Sequence, residues 1–216
     1  MLEGKGLFKS YGALTVLKGV DIHVQKGEIV SIVGASGAGK STLLHILGTL
    51  DNPDKGKLSI NGQEVVSFSS KELSKFRNEE IGFIFQFHNL LPEFSVMENI
   101  CIPAWIGKKD DREIKKRAGE LIDILGIQDR KEHKPGELSG GEQQRTAVAR
   151  ALINNPSIIF ADEPSGNLDS ANARDLHQLF FTLRDTLNQT FVIVTHNEEL
   201  AEMADRRLEI KDGVIL

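Results

Sequence analysis

Four short, almost unbroken apolar runs punctuate this chain, at Glu28–Val33, Ile81–Phe85, Ser157–Ala161 and Phe191–Thr195. Each has strand length and β-branched or aromatic content, and none alternates with polar positions. That pattern predicts strands covered on both faces, as in a parallel sheet flanked by helices. Leu58–Ile60 and Arg207–Ile210 are shorter and predict elements at the sheet edges. Between the second and third runs the period changes. Ile114, Ala118, Leu121, Ile122 and Leu125 share one helical face ended by Gly126, and Ala147, Val148, Ala151 and Leu152 mark a second helix after Ser139, stopped by Pro156. The chain therefore reads as one α/β unit, with a core over about residues 1–86 and 155–216 and a helical subdomain at about 87–154 inserted into it.

The residues that end these strands carry the chemistry. The first strand runs into Gly34, Ala35, Ser36, Gly37, Ala38, Gly39, Lys40, Ser41 and Thr42, and Ser41–Leu47 reads as the helix that follows. This strand–loop–helix order fits the P-loop, whose backbone N–H groups close around phosphates while the lysine reaches the β- and γ-phosphates and the serine ligates Mg2+. A helix N-terminus aimed at an anion adds its dipole and unpaired donors. The second strand ends at Gln86, the third at Asp162 and Glu163, and the fourth at His196. Ligands of open parallel sheets bind outside the carboxyl ends of the strands, so four separate segments are expected to converge there. Asp162 suits a magnesium site shared with Ser41. Glu163 suits the carboxylate that orients or deprotonates the attacking water. Gln86 can ligate the metal or hold that water, and His196 can donate to the γ-phosphate. ATP and Mg2+ are the expected ligands.

A second glycine cluster, Glu137-Leu-Ser-Gly-Gly-Glu142, opens the later helix. Ser139 and Glu142 form a capping-box pattern that needs no ligand. Gly140 and Gly141 remain unexplained, because glycine in a helix costs up to about 1 kcal/mol relative to alanine. Bare backbone there suits close approach by a second nucleotide's phosphate.

Charge and composition remove other classes. The 216 residues carry a net charge of −5, which offers no basic footprint for nucleic acid. No segment approaches the about 18 apolar residues of a membrane span, and Met-Leu-Glu-Gly-Lys lacks the layout of a signal peptide. A soluble, cytosolic chain is expected. The single cysteine, Cys101, lies among Ile100, Ile102 and Pro103 and reads as a packed core thiol.

In this order Gly34–Ser41, Gln86, Leu138–Glu142, Ile158–Glu163, Gly166-Asn-Leu-Asp169 and His196 resemble the ATP-binding subunits of ABC transporters, over essentially the whole chain. The resemblance implies an ABC ATPase fold: a P-loop NTPase (RecA-like) core with an antiparallel β edge and an inserted helical subdomain. It also implies a head-to-tail dimer in which ATP is sandwiched between the P-loop of one subunit and Ser139, Gly140 and Gly141 of the other, with Asn167 to Asp169 along the seam. Tyr11 sits where the family places an aromatic ring against adenine. The stretch from Gly82 to Phe94, with Glu98-Asn99 and Ile106–Lys109 beyond, is similar to the LolD branch of the family, the ATPases of lipoprotein-releasing systems. That narrower likeness implies two integral membrane partners of the LolC/LolE type, a peripheral position on the cytoplasmic face of an inner membrane, and no direct contact with lipoprotein. Phe87, Leu90, Leu91, Phe94 and Met97 would then belong to a groove for a partner's short cytoplasmic helix. The departures are a short Tyr11–Val16 stretch, Ser165 where threonine is common, Asn197 where aspartate is frequent, and no added C-terminal regulatory domain.

Overall fold

A computed structural model describes residues 1–216. The predicted parallel sheet is present and has six strands: β3 (Ile29–Val33), β6 (Ile81–Phe85), β7 (Ile158–Asp162), β8 (Thr190–Val194), β9 (Arg206–Lys211) and β10 (Val214–Ile215). They stand in the order β10-β9-β3-β8-β7-β6, parallel except for β10. Arg207–Ile210, expected at an edge, is a correction. It lies in β9, inside the sheet, hydrogen-bonded in parallel to β3 on one side and antiparallel to β10 on the other. Its alternation of charged and apolar residues mimics an edge because only the two-residue β10 lies beyond it.

A second, antiparallel sheet of order β2-β1-β4-β5 is built from β1 (Leu2–Tyr11), β2 (Leu14–Val24), β4 (Lys55–Ile60) and β5 (Gln63–Glu64). The long β1–β2 pair escapes a period-two reading because register shifts interrupt it between Gly4 and Leu7, Leu7 and Phe8, and Lys9 and Ser10. Each bulge shifts the phase of the strand that carries the extra residue, β1 between Gly4 and Leu7 and β2 at the other two places, so neither strand keeps one alternation along its length.

Seven α-helices complete the fold: α1 (Lys40–Leu47), α2 (Ser70–Glu80), α3 (Val96–Ile106), α4 (Asp111–Ile124), α5 (Gly140–Leu152), α6 (Ser170–Leu187) and α7 (Glu198–Met203). The three helices α3, α4 and α5 lie in sequence between β6 and β7. They pack on the same sheet face as α6, where Ile29, Ile159, Ala161, Phe191 and Ile193 meet Ile100, Leu121, Val148 and Phe180. The intervening residues Val30, Ile32, Ile158, Phe160, Val192 and Val194 point to the other face, against α1 and the antiparallel sheet. Both faces are thus dry, which is why the strands read as continuous apolar runs. Each fully buried Phe, Ile or Leu contributes about 1.5–3 kcal/mol. Cys101 is fully buried, and burial pushes its thiol up to about 11, as expected of a core thiol rather than a reactive one.

Candidate nucleotide site

Register sets the site. Ile32 of β3 lies level with Val194 of β8, Val194 with Asp162 of β7, and Asp162 with Phe85 of β6. The chain therefore leaves the sheet at one height in four places, and Gly34, Gln86, Glu163 and His196 follow within two residues of that row.

The loop after β3 holds three glycines at positive φ, Gly34, Gly37 and Gly39. Gly34 has φ +151° and a Cβ there would lie 2.2 Å from the Ile210 carbonyl oxygen. Gly39, with φ +105°, is the N-cap of α1. A glycine N-cap supplies no side chain, and α1 is the only helix of the seven whose first turn receives no side-chain cap. The others begin at Ser69, Ser95, Asp110, Ser139, Asp169 and Asn197, each accepting a backbone N–H. The donors of α1 are left for an anion. Lys40 is buried, and its Nζ donates to the carbonyls of Gly34 (2.8 Å) and Ala35 (3.0 Å), which ties the loop around its own lysine.

Across the row, the Ser41 hydroxyl donates to Asp162 Oδ1 at 3.3 Å, bringing one hydroxyl and one carboxylate together. No three His, Cys, Asp or Glu side chains are placed to hold a metal ion by themselves. Such a donor pair suits a hard cation that completes its shell with phosphate oxygens and water. Glu163 has φ +46°, a left-handed backbone that costs about 1–2 kcal/mol for a residue bearing a Cβ. Its own N–H donates to the Val194 carbonyl, and its Oε2 accepts the His196 backbone N–H at 3.0 Å. Oε1 is buried without a hydrogen bond; His196 Nε2 is 3.3 Å away but not aligned to donate. The carboxylate is thus anchored through Oε2, while Oε1 makes no hydrogen bond and lies under the His196 ring. The side chain of His196 is mostly exposed. Gln86 faces the loop after β7: its Nε2 donates to Asn167 Oδ1, and Asn167 Nδ2 donates to the Gln86 carbonyl, both at 3.0 Å.

Tyr11 is half exposed at the end of β1, with Thr42 of α1 beside it. Its hydroxyl donates to Asp51 Oδ2 at 2.7 Å, and Asp51 also accepts Lys9 Nζ at 2.7 Å. The hydrogen bond to Asp51, with burial, raises the phenol above its ordinary pKa. Asp51 was invisible to motif reading, because nothing in the sequence says that residue 51 meets residue 11.

Ser139 and Glu142 form the expected capping box on α5. Ser139 N–H donates to Glu142 Oε2 at 2.8 Å, Glu142 N–H returns to Ser139 Oγ at 3.3 Å, and Arg130 holds Oε1 at 2.8 Å. The two glycines differ. A Cβ on Gly141 would lie 2.6 Å from Asn172 Oδ1, so what approaches Gly141 is a residue of the same chain; this corrects the expectation that its bareness needs an outside ligand. Gly140 meets only Leu168, at ordinary contact distance, and is open. No hydrogen bond or ion pair links Ser139–Gly141 to the loop of Gly34–Thr42.

The sequence profile of the family described as "ABC transporter" matches residues 17–166, which take in the glycine loop, Gln86, the α5 N-terminus and Asp162–Glu163. The chain belongs to the ABC transporter family. This ABC cassette is 62% identical to the "Lipoprotein-releasing system ATP-binding protein LolD" of Cytophaga hutchinsonii, across all of this chain and 99% of that protein. It is 60% identical to the protein of the same description from Bacteroides thetaiotaomicron, with the same coverage. Among solved structures it matches the "Dimeric structure of a post-hydrolysis state of the ATP-binding cassette MJ0796 bound to ADP and Pi", at 39% identity and a TM-score of 0.90 over 100% of this chain and 96% of that one. It also matches cbiO1 from Clostridium perfringens, "Part of the ABC transporter complex cbiONQ", at 27% identity and a TM-score of 0.92, over 100% of this chain and 86% of that one. The fold is that of an ABC ATPase, and the protein is an ABC-type ATPase that binds nucleotide. No helix is long and apolar enough to cross a membrane.

One polar residue of the cassette lies behind the site and was missed from the sequence. His177 of α6 is buried, and its Nε2 is 3.0 Å from the hydroxyl of Ser165, three residues after Asp162. Its Nδ1 is buried with no partner. Burial lowers its pKa from 6.5, against a smaller opposing pull from Glu199. The folded state therefore binds that proton less readily than the unfolded chain does. Stability is full above about pH 6.5 and falls as pH drops through the lower folded-state value. Thermal midpoints recorded between pH 7.5 and 5 should decline, and His177→Leu should flatten that decline; an unchanged slope would remove His177 as its cause.

Proposed function

We propose that this ATPase drives the release of lipoproteins from the inner membrane toward the outer membrane, within an assembly containing two integral membrane subunits of the LolC/LolE type. The observation that carries the ATPase chemistry is the one uncapped helix N-terminus facing a level row of functional side chains. The cargo rests on full-length identity to relatives described as lipoprotein-releasing. The protein would work on the cytoplasmic face of that membrane as a peripheral subunit, without touching lipoprotein or nucleic acid.

Lys40 and the α1 N–H groups hold the phosphates, and Tyr11, tethered by Asp51, stacks on the base. Ser41 and Asp162, with Gln86, would hold Mg2+, which when bound would screen phosphate charge. Glu163 Oε1, the oxygen without a partner, accepts a hydrogen bond from the attacking water and takes its proton. His196 keeps Glu163 Oε2 engaged through its backbone and points its ring to the same edge. Ser139, Gly140 and Gly141 serve the ATP held by a second copy in a head-to-tail dimer. Their separation from the P-loop of their own chain and the openness of Gly140 support that reading, as does the dimer described for MJ0796.

Transmission to the membrane subunits passes beside Gln86. Phe87, Leu91 and Phe94 are exposed there, Leu90 is half-buried, and Met97 packs on the core. Next to them a cleft of about 370 Å³ runs between α2, β6 and α3, lined by Phe83, Phe85, Pro103 and Ile106 and flanked by Arg77 and Arg150. We read residues 87–154 as the subdomain that moves with the partner. The test is affinity purification of the tagged chain from its own cell membranes. Recovery of two integral membrane proteins, whose depletion leaves lipoproteins in the inner membrane, is the expected result. Recovery of a drug-exporter or cell-division membrane protein instead would overturn the cargo and leave the ATPase intact.

A further inference from the structure

We infer that Asn167 is a positioning residue that sets which atom Gln86 presents to the cation or water at the reacting phosphate. Asn167 Nδ2 donates to the Gln86 backbone carbonyl, which can only accept, so the Asn167 amide cannot turn over without losing that bond. Its Oδ1 must then face Gln86, and the group that meets it is the donor Nε2 at 3.0 Å. One fixed amide thereby fixes another. With Nε2 occupied, Gln86 turns its Oε1, an acceptor, away from Asn167 and toward whatever cation or water it serves.

The neighbouring residue is shaped for the same purpose. A Cβ on Gly166 would lie 3.0 Å from Gln86 Nε2 and 3.2 Å from Cδ, so any side chain there would push the glutamine amide by a few tenths of an ångström from its seat. The backbone of Gly166 is not left-handed, and space rather than conformation accounts for the glycine. Residues 166 and 167, in the loop after β7, thus form a seat for the side chain that follows β6. The seat also joins two functional loops: Gln86 leads into the exposed Phe87, and Asn167 belongs to the segment that runs from Glu163 to Asp169.

This inference rests on the proposed role of Gln86, and its test separates the two. Asn167→Ala, Gln86→Ala and the double variant are compared for kcat and KM of ATP hydrolysis, and for Mn2+ binding to the ATP-loaded protein by electron paramagnetic resonance. Asn167 is exposed, so Asn167→Ala should fold with an unchanged thermal midpoint. The expected result is a kcat loss of about tenfold to a hundredfold in each single variant with KM for ATP nearly constant. Mn2+ should bind about tenfold more weakly, and the double variant should behave like Gln86→Ala. If Gln86→Ala changes neither readout, the role of Gln86 fails, and the inference with it. If Gln86→Ala is impaired while Asn167→Ala resembles wild type, the inference alone fails. Losses that multiply in the double variant would also overturn it, because Asn167 would then act independently of Gln86.

Discussion

Glu163→Gln is expected to lower ATP turnover by about 10²- to 10⁴-fold, the usual contribution of a positioned general base, while ATP affinity stays near that of the wild type. The substitution is nearly isosteric, so the argument turns on which oxygen is which. Oε2 accepts the His196 backbone N–H and holds the carboxylate in place; Oε1 is buried and unpaired. A glutamine can keep its oxygen on the His196 N–H, which places its NH2 where Oε1 was. A donor then replaces the only free acceptor, and the water loses the group that takes its proton. Lys40, Ser41 and the α1 N-terminus are untouched, so binding should survive. With hydrolysis blocked, dimers held by ATP should accumulate and elute early on gel filtration in ATP. Turnover within tenfold of wild type would exclude Glu163 as the base.

Ser139→Phe is the second large effect, and it separates capping from catalysis. Ser139 caps α5, so its loss should cost about 1 kcal/mol of stability whatever else it does. If the residue also serves a phosphate held by another copy, turnover should fall further, by about 10²- to 10³-fold, the loss seen on removing one oriented oxyanion donor. ATP affinity of the isolated subunit should not move, because no bond connects Ser139 with the loop of Gly34–Thr42 in its own chain. Mixing gives the sharper outcome. Neither Ser139→Phe nor Lys40→Ala should turn over alone, yet an equal mixture should regain activity, since each hybrid dimer retains one site with intact Lys40 and Ser139. A mixture as inactive as its components would contradict a shared site.

The parallel strands, the ends that carry Gln86, Glu163 and His196, and the glycine loop were all legible in the sequence, because buried strands and phosphate loops impose strict local composition. What was not legible depends on contacts between distant residues. The β1–β2 hairpin hid behind its bulges, β9 was mistaken for an edge because its neighbour β10 is only two residues long, and α6 was not anticipated between Asp169 and Thr190. Asp51, His177 and Asn167 act on Tyr11, Ser165 and Gln86 from 40, 12 and 81 positions away, and no local pattern marks such pairs. Gly141 shows the converse: a motif glycine whose bareness looked unexplained without an outside ligand has Asn172 of its own chain against it.

The left-handed backbone at Glu163 bears on how such a chain ages in evolution. A glycine at that position would relieve the torsional strain, on the order of 1 kcal/mol, while abolishing the carboxylate and its bond to the His196 N–H. The strain is held in place by the carboxylate's job, and without demand for turnover that hold is gone. A relative that keeps the glycine loop but carries glycine at the position of Glu163 would be a cassette that still grips nucleotide and has retired from hydrolysis.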